Sequence, residues 1–243
     1  MNKEKQFVIT DGASDISNKQ FVIDLGGSAV YPDGIDVKFL KEFYDFINKK
    51  IKAGYKFVII VGGGKLCRRF QEAAGEVANV DDEDKDWIGI HSTRLNAHLL
   101  RTIFRDVAHP VLFKKRHRVS GFDGHSVIVG AGWEPGWSTD YVSVQIAADL
   151  EINDIIILGK PDYVYTDDFT KNNDAKPIER LSWDDYLKLI PNEWTPGMSA
   201  PVDPIASKLA KEKGIKVIVA KAHDLENVEN ILEGRKFKGT TLE

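Results

Sequence analysis

A single cysteine, Cys67, in 243 residues excludes an intrachain disulfide and any cysteine-cluster metal site. No apolar run is long enough to cross a bilayer, and the polar start from Met1 to Lys5 lacks the apolar core of a secretory signal. Both absences lead us to expect a cytoplasmic protein with no membrane partner. Positive charge is not in excess: 33 Lys and Arg against 37 Asp and Glu leave a formal net charge of −4, without global electrostatic support for nucleic-acid binding. The local exception, Lys114 to Arg118, reads as a solvated loop after a short strand at Val111 to Phe113. Ready-made catalytic pairings are missing as well. No Ser-His-Asp or Cys-His arrangement is evident, and the six histidines lack metal-ligand spacing. His91 and His98 share one predicted helix face and read as packed or exposed side chains.

What the chain has instead is glycine at the ends of apolar runs. Phe21 to Leu25 stops at Gly26, Gly27 and Ser28, and Phe57 to Val61 stops at Gly62, Gly63, Gly64 and Lys65. A buried strand ending in residues without Cβ brings bare backbone N–H groups against an anion, and a helix starting there adds its positive end. Two such loops suggest two phosphorylated ligands, or one phosphoryl group approached from both sides. A third loop, Gly130 to Asp140, runs from a strand into a helix. In it Gly136 permits close backbone approach, Ser138 and Thr139 offer hydroxyls and N–H groups at a helix start, and Asp140 supplies a carboxylate.

Periodicity supplies the frame around these loops. Phe39, Leu40, Phe43, Phe46, Ile47 and Ile51 recur at helical spacing, as do Leu66, Phe70, Ala73, Ala74 and Val77 after the triple glycine. An acidic connection from Asp81 to Asp86 leads into a long segment, helical through Phe104, in which Ile88, Leu95, Leu99 and Ile103 form the expected buried stripe. Further short strands are expected at Val127 to Val129, Ile155 to Leu158 and Val217 to Ala220, with helices from Ser138 to Leu150 and from Pro204 to Lys213. Asp203 is placed to cap the helix that Pro204 begins. Apolar runs without alternation are expected of strands covered on both faces, so the pattern predicts an α/β fold: a three-layer αβα sandwich on a mostly parallel, open, doubly wound sheet. Residues 20–243 then form one domain behind an extension at 1–19. Within that extension Lys5 to Thr10 nearly repeats Lys19 to Asp24, either as an extra strand or by chance in a disordered segment.

Taken in order, Asp24 to Ser28, Val61 to Leu66 with Arg68, Asp86 to Ile90, Thr93 to Ala97, Pro135 to Asp140, Asp203-Pro204 and Gly239 to Thr241 resemble the amino-acid kinase superfamily. The chain is most similar there to the archaeal-type uridylate kinases, from about residue 20 to the C-terminus. The resemblance implies transfer of the γ-phosphoryl group of ATP, with Mg²⁺, to UMP in pyrimidine nucleotide biosynthesis, by a homo-oligomer, typically a hexamer. It places acceptor binding in the N-terminal part of the domain and ATP binding in the C-terminal part. Gly27, Ser28, Gly64 and Arg68 would face the ATP phosphates or the transferring group, and Tyr165 and Asp168 would lie near the ATP nucleoside. Gly63 and Asp86 would contact UMP, Asp86 through the ribose hydroxyls. Trp133, Glu134, Pro135, Gly136, Trp137, Ser138, Thr139 and Asp140 would wrap the UMP base and phosphate.

Two departures qualify this picture. Many superfamily members carry a lysine where this chain has Asp24, so positive charge must come from Lys65, Arg68 or Arg94. Asp24, Asp140 and Asp203 then either converge on the transferring phosphate to hold Mg²⁺ or orient a cation, or serve as a strand-end turn and two helix caps. In the donor loop Lys160, Tyr163 and Phe169 stand where the family has Asn, Gly and Pro. Tyr163 disfavours positive φ, and Lys160 is a candidate donor-phosphate contact. The alternatives are another small-molecule kinase of the superfamily, or a nucleotide sensor or storage protein. The isopentenyl phosphate kinase variant is disfavoured, because no histidine stands beside the glycine loop.

Overall fold

The computed structural model describes residues 19–117, 120–168, 170–192 and 200–243. The near-repeat at Lys5 to Thr10, Arg118 of the basic cluster and Phe169 of the donor loop lie outside them. In chain order the elements are β1 (Gln20–Leu25), α1 (Gly27–Val30), α2 (Val37–Lys52), β2 (Lys56–Val61), α3 (Gly64–Val77), α4 (Asp82–Ile103), β3 (Val127–Gly130), α5 (Thr139–Asp149) and β4 (Asp154–Gly159). There follow β5 (Val164–Tyr165), β6 (Pro177–Ile178), β7 (Arg180–Leu181), α6 (Trp183–Leu189), α7 (Pro204–Lys213), β8 (Lys216–Lys221), α8 (Leu225–Leu232) and β9 (Thr240–Leu242).

Seven strands form one sheet in the order β3-β2-β1-β4-β8-β9-β7, and β5 pairs with β6 as a separate hairpin. All neighbours in the main sheet run parallel except β8 and β9. Alternate residues of the central strands feed two cores. Phe21, Ile23, Leu25, Phe57 and Ile59 pack with α2, α4 and α8, while Val22, Val58 and Ile60 pack with α5, α6 and α7. This is the expected αβα sandwich, and it explains why the strands read as unbroken apolar runs. Asp24, 2% exposed, is the acidic residue of β1 that breaks its run.

Chain order along the sheet locates the functional edge. From β1 the chain winds outward through β2 and β3, then returns to β4 on the other side of β1. The reversal leaves a crevice between β1 and β4 at the carboxyl ends of the strands, the place where open α/β sheets take ligands. Leu25 is in register with both Val61 and Leu158, so the segments after β1, β2 and β4 emerge side by side.

Several elements differ from the periodic reading. The acidic run is the first turns of α4: the Asp81 side chain accepts from Asp84 N, and Asp82, Glu83 and Asp84 complement the positive helix start. Of the expected stripe, Leu99 and Ile103 do pack, partly buried, against the core, but the fully buried line of the helix lies to one side of it. Ile90, Thr93, Ala97 and Leu100 are buried, whereas Leu95 is 61% exposed. Helix α3 forms as expected but buries no residue, and Phe70 and Val77 face outward. Val111 to Phe113 forms no strand; Phe113 makes one isolated bridge to Gly130, after a proline that has no N–H to offer a ladder. Tyr163 is not among the residues with positive φ, in line with its bulk.

Leu100 is fully buried where α4 meets the sheet. Leu100→Ala should cost about 2–5 kcal/mol of unfolding free energy, read from urea denaturation. A cost near zero would contradict this orientation of α4.

Candidate active site

The two glycine loops form one continuous backbone surface. A Cβ on Gly27 would sit 2.1 Å from Gly64 N and 2.5 Å from Gly62 C and O, and one on Gly64 would sit 2.3 Å from Gly27 O. Gly64 also has φ of +66°, so two separate constraints demand glycine there. The single turn of α1 closes the contact, with Tyr31 O accepting from Lys65 N at 3.1 Å. On the other side Gly26 N donates to Leu158 O at 2.8 Å, which ties the first loop to the end of β4.

Above this surface lies a cavity of about 320 Å³. Gly27, Gly62, Gly63 and Gly64 form its floor, and Arg68 and Asp86 approach from α3 and α4. Glu134, Trp137, Ser138, Thr139 and Asp140 close it from the loop before α5, and Asp203 from the start of α7. Residues more than a hundred positions apart are thus gathered where the sequence motifs placed one site. Other predicted residues sit around it. Ser28 is half-buried in α1, and Trp133 is buried beneath the loop, stacked on Phe113 at 5.7 Å. Pro135 and Gly136 are not among the lining residues, but Gly136 N donates to Asp86 Oδ2 at 2.8 Å and so ties the loop to α4. Burial raises the Asp86 carboxyl above the usual carboxylate range, against the pull of that hydrogen bond.

Of the three candidate cations, one reaches the cavity. Lys65 pairs with Asp33 at 2.6 Å, joined by Arg69 at 2.7 Å. Arg94 donates to Trp133 O at 3.0 Å and lies 6.0 Å from the Trp87 ring, bracing the loop from behind. Among the described residues, Arg68 is the cationic side chain that lines the cavity.

The three aspartates converge, as a hydrogen-bonded cluster. Asp203 Oδ1 caps α7 by accepting from Ile205 N and Ala206 N at 2.7 and 2.9 Å, and its Oδ2 accepts from Ser138 Oγ. Asp203 N in turn donates to Asp140 Oδ2 at 2.9 Å. Behind them the buried Ser143 hydroxyl donates to Asp24 Oδ2 at 2.8 Å. Burial pushes Asp24 up to about 7, with the Ser143 bond opposing and the charge of Asp203 adding. Burial, then the charges of Asp24 and Asp203, holds Asp140 well above the usual carboxylate range. Asp203 therefore both caps α7 and lines the cavity. Among the described residues no group of three or more His, Cys, Asp or Glu is arranged to hold a metal by itself, and both Asp203 oxygens are engaged in hydrogen bonds, so a magnesium ion here would depend on nucleotide phosphates for most of its ligands.

The donor-side residues lie apart from the cavity. Lys160 is exposed just beyond β4. Tyr165, in the β5–β6 hairpin, donates to Asp162 Oδ1 at 2.7 Å, and that bond, then burial, raises its phenol to about 12. Asp168 is exposed and organises its own turn, accepting from Thr170 N at 3.0 Å. Its carboxyl is held low by the Thr170 bonds first and by Lys171. What joins this segment to the site is Gly159, whose Cα lies 3.5 Å from a Cβ built on Gly26, at the β1–β4 crevice.

The cavity also holds residues to which the sequence reading gave no role: Cys67, Gln71, Gly89, Ile90, Thr93, Gly132 and Ala200. Burial raises the Cys67 thiol, so it is no ready nucleophile. Helical spacing was the available signal. Asp86, Gly89, Ile90 and Thr93 share one face of α4, and Gly64, Cys67, Arg68 and Gln71 one face of α3, once α4 is begun at Asp82.

The chain matches the Amino acid kinase family over residues 19–221. The uridylate kinase of Thermococcus sibiricus is 32% identical over 228 residues, covering 92% of this chain and 99% of its own. That of Methanocorpusculum labreanum is also 32% identical, covering 91% and 94%. Among solved structures, uridylate kinase from Archaeoglobus fulgidus superposes with a TM-score of 0.75 at 26% identity, covering 92% of this chain and 99% of that one. UMP kinase from Bacillus anthracis shares the fold, with a TM-score of 0.76 at 21% identity, covering 93% and 96%. The chain belongs to the amino acid kinase family, among the uridylate kinases.

Proposed function

We propose that this protein transfers the γ-phosphoryl group of ATP to UMP, giving UDP and ADP, and that it works in the cytoplasm, where these nucleotides supply pyrimidine biosynthesis. The observation that carries this reading is the single cavity that gathers the glycine floor, Arg68, Asp86 and the loop before α5. A UMP phosphate oxygen attacks the γ-phosphorus, the bond to the β–γ bridging oxygen breaks, and ADP leaves with that electron pair. The attacking oxygen is already anionic near neutrality, so the protein needs no general base. Its work is alignment and neutralisation of charge.

Gly27, Gly63 and Gly64 offer backbone N–H groups to the phosphates, and Arg68 adds the cationic side chain. Asp86 accepts from the ribose hydroxyls of UMP, while Glu134 and Trp137 border its base. ATP enters by the β1–β4 crevice with its nucleoside toward Tyr165 and Asp168, and Lys160 stands beside that path. Magnesium arrives as the counter-ion of ATP and neutralises phosphate charge when bound. The acceptor half of the domain thus runs from β1 to α5 and the donor half from β4 onward.

A coupled ADP-release assay with MgATP and UMP, CMP, dUMP or isopentenyl phosphate tests the reading. UMP should be the best acceptor, and Asp86→Asn should raise the KM for UMP about tenfold. UMP binding without ADP formation, or turnover of another acceptor only, would refute it.

The protein is further proposed to be a homo-oligomer, a hexamer by its family. In support, α3 and α4 turn large apolar side chains outward: Phe70, Val77, Trp87 and Leu95 are 61, 87, 38 and 61% exposed. Light scattering should give several subunits for the wild type and fewer for Phe70→Asp. A monomeric wild type would end this proposal.

The buried acidic cluster carries a pH signature. A carboxyl raised to about 7 in the folded state holds its proton where the unfolded chain, near 3.8, has lost it. Its contribution to stability is full below that lower value and is lost as pH rises through about 7. The wild-type melting temperature should therefore fall between about pH 4 and 7, and Asp24→Asn should flatten that fall. Parallel profiles for the two proteins would contradict a protonated Asp24.

A further inference from the structure

One buried polar side chain meets the glycine floor without lining the cavity. Asn96, 3% exposed, lies on the inner face of α4, near Thr93, Ala97 and Leu100. An apolar side chain there would pack as well and favour the helix more. Its amide nitrogen instead donates to Gly62 O at 2.9 Å and to Gly63 O at 3.3 Å.

Those two bonds set the direction of two peptide planes. No peptide bond among the described residues is cis, so each carbonyl points opposite to the N–H that follows it. With the Gly62 and Gly63 carbonyls turned to Asn96, the N–H groups of Gly63 and Gly64 face the opposite side. Neither N–H finds an acceptor among the described residues, and both glycines line the cavity. Gly63 has φ −78° and ψ −28°, and Gly64 has φ +66°. A right-handed residue followed by a left-handed one directs successive N–H groups toward one centre, a concavity suited to an anion. Glycine allows this geometry without enforcing it, because residues without Cβ rotate their peptide planes at little cost.

We infer that Asn96 is a positioning residue for phosphoryl transfer: it clamps the Gly62 and Gly63 carbonyls so that the N–H groups of Gly63 and Gly64 stay aimed at the transferring phosphate. The inference rests on the proposed kinase reading for its substrate, and on hydrogen bonds within the chain for its geometry. Without the amide, Gly62 O loses its donor and Gly63 O keeps only the long 3.4 Å bond from Cys67 N, and a rotated peptide presents an oxygen to an anionic group.

The test compares wild type with Asn96→Leu, close in volume but without a donor, and with Asn96→Ala in case the leucine variant fails to fold. Circular dichroism and thermal melting establish the fold. The kcat with UMP should fall about tenfold to a hundredfold, while the KM for ATP, whose nucleoside sits at the β1–β4 crevice, changes less than about threefold. Affinity for inorganic phosphate, followed by tryptophan fluorescence, should fall at least about fivefold. A folded variant with near-wild-type kcat, or with unchanged phosphate affinity, overturns the inference. Wild type that binds phosphate but does not turn over UMP would refute the substrate reading instead, and the phosphate comparison would still decide the role of Asn96.

Discussion

Everything at the candidate site depends on how closely the loop after β1 approaches the loop after β2. Gly27 meets Gly62 and Gly64 at distances no side chain tolerates, so the backbone itself becomes the floor of the cavity. That contact is available because β1 and β2 are adjacent, parallel and in register up to Leu25 and Val61. It also fixes where α1 and α3 begin, and hence where Arg68 stands. A substitution at Gly27 or Gly64 would separate the loops, and the cavity would lose its base along with its N–H groups.

The electrostatics of the site run against simple expectation for a binder of phosphates. Its lining carries Glu134, Asp86, Asp140 and Asp203 against Arg68. The acids are made tolerable by sharing hydrogen bonds and, for Asp24 and Asp140, by a raised affinity for protons. The cluster ties the loop before α5 to the start of α7 through Ser138, Asp140 and Asp203.

Much of the fold was legible in the chain itself, for identifiable reasons. Strands buried on both faces must be apolar throughout, so β1, β2, β4 and β8 stood out. Asp203-Pro204 marked the start of α7 because a cap and a first-turn proline leave a local signature. The start of α4 was misplaced because its first turns are acidic and look like a loop, although acidic side chains favour a helix N-terminus. The short β5, β6, β7 and β9 left no period to read. Their pairing depends on partners far along the chain, as in Val164 N donating to the Thr240 hydroxyl at 2.7 Å.

By itself the sequence determined the α/β class, the phosphate-handling loops and the family, because each is written in local order: apolar runs, glycines at their ends, motifs in series. Only the tertiary structure decided which charges meet. It assigned Lys65 to Asp33, Arg94 to the back of the loop and Arg68 to the cavity, and it merged the two glycine loops into one surface. It also revealed Asn96, whose motif gives no hint that its amide reaches two glycine carbonyls more than thirty residues earlier. Contacts of that range depend on how helices lie across the sheet, and spacing along a single element carries no record of it.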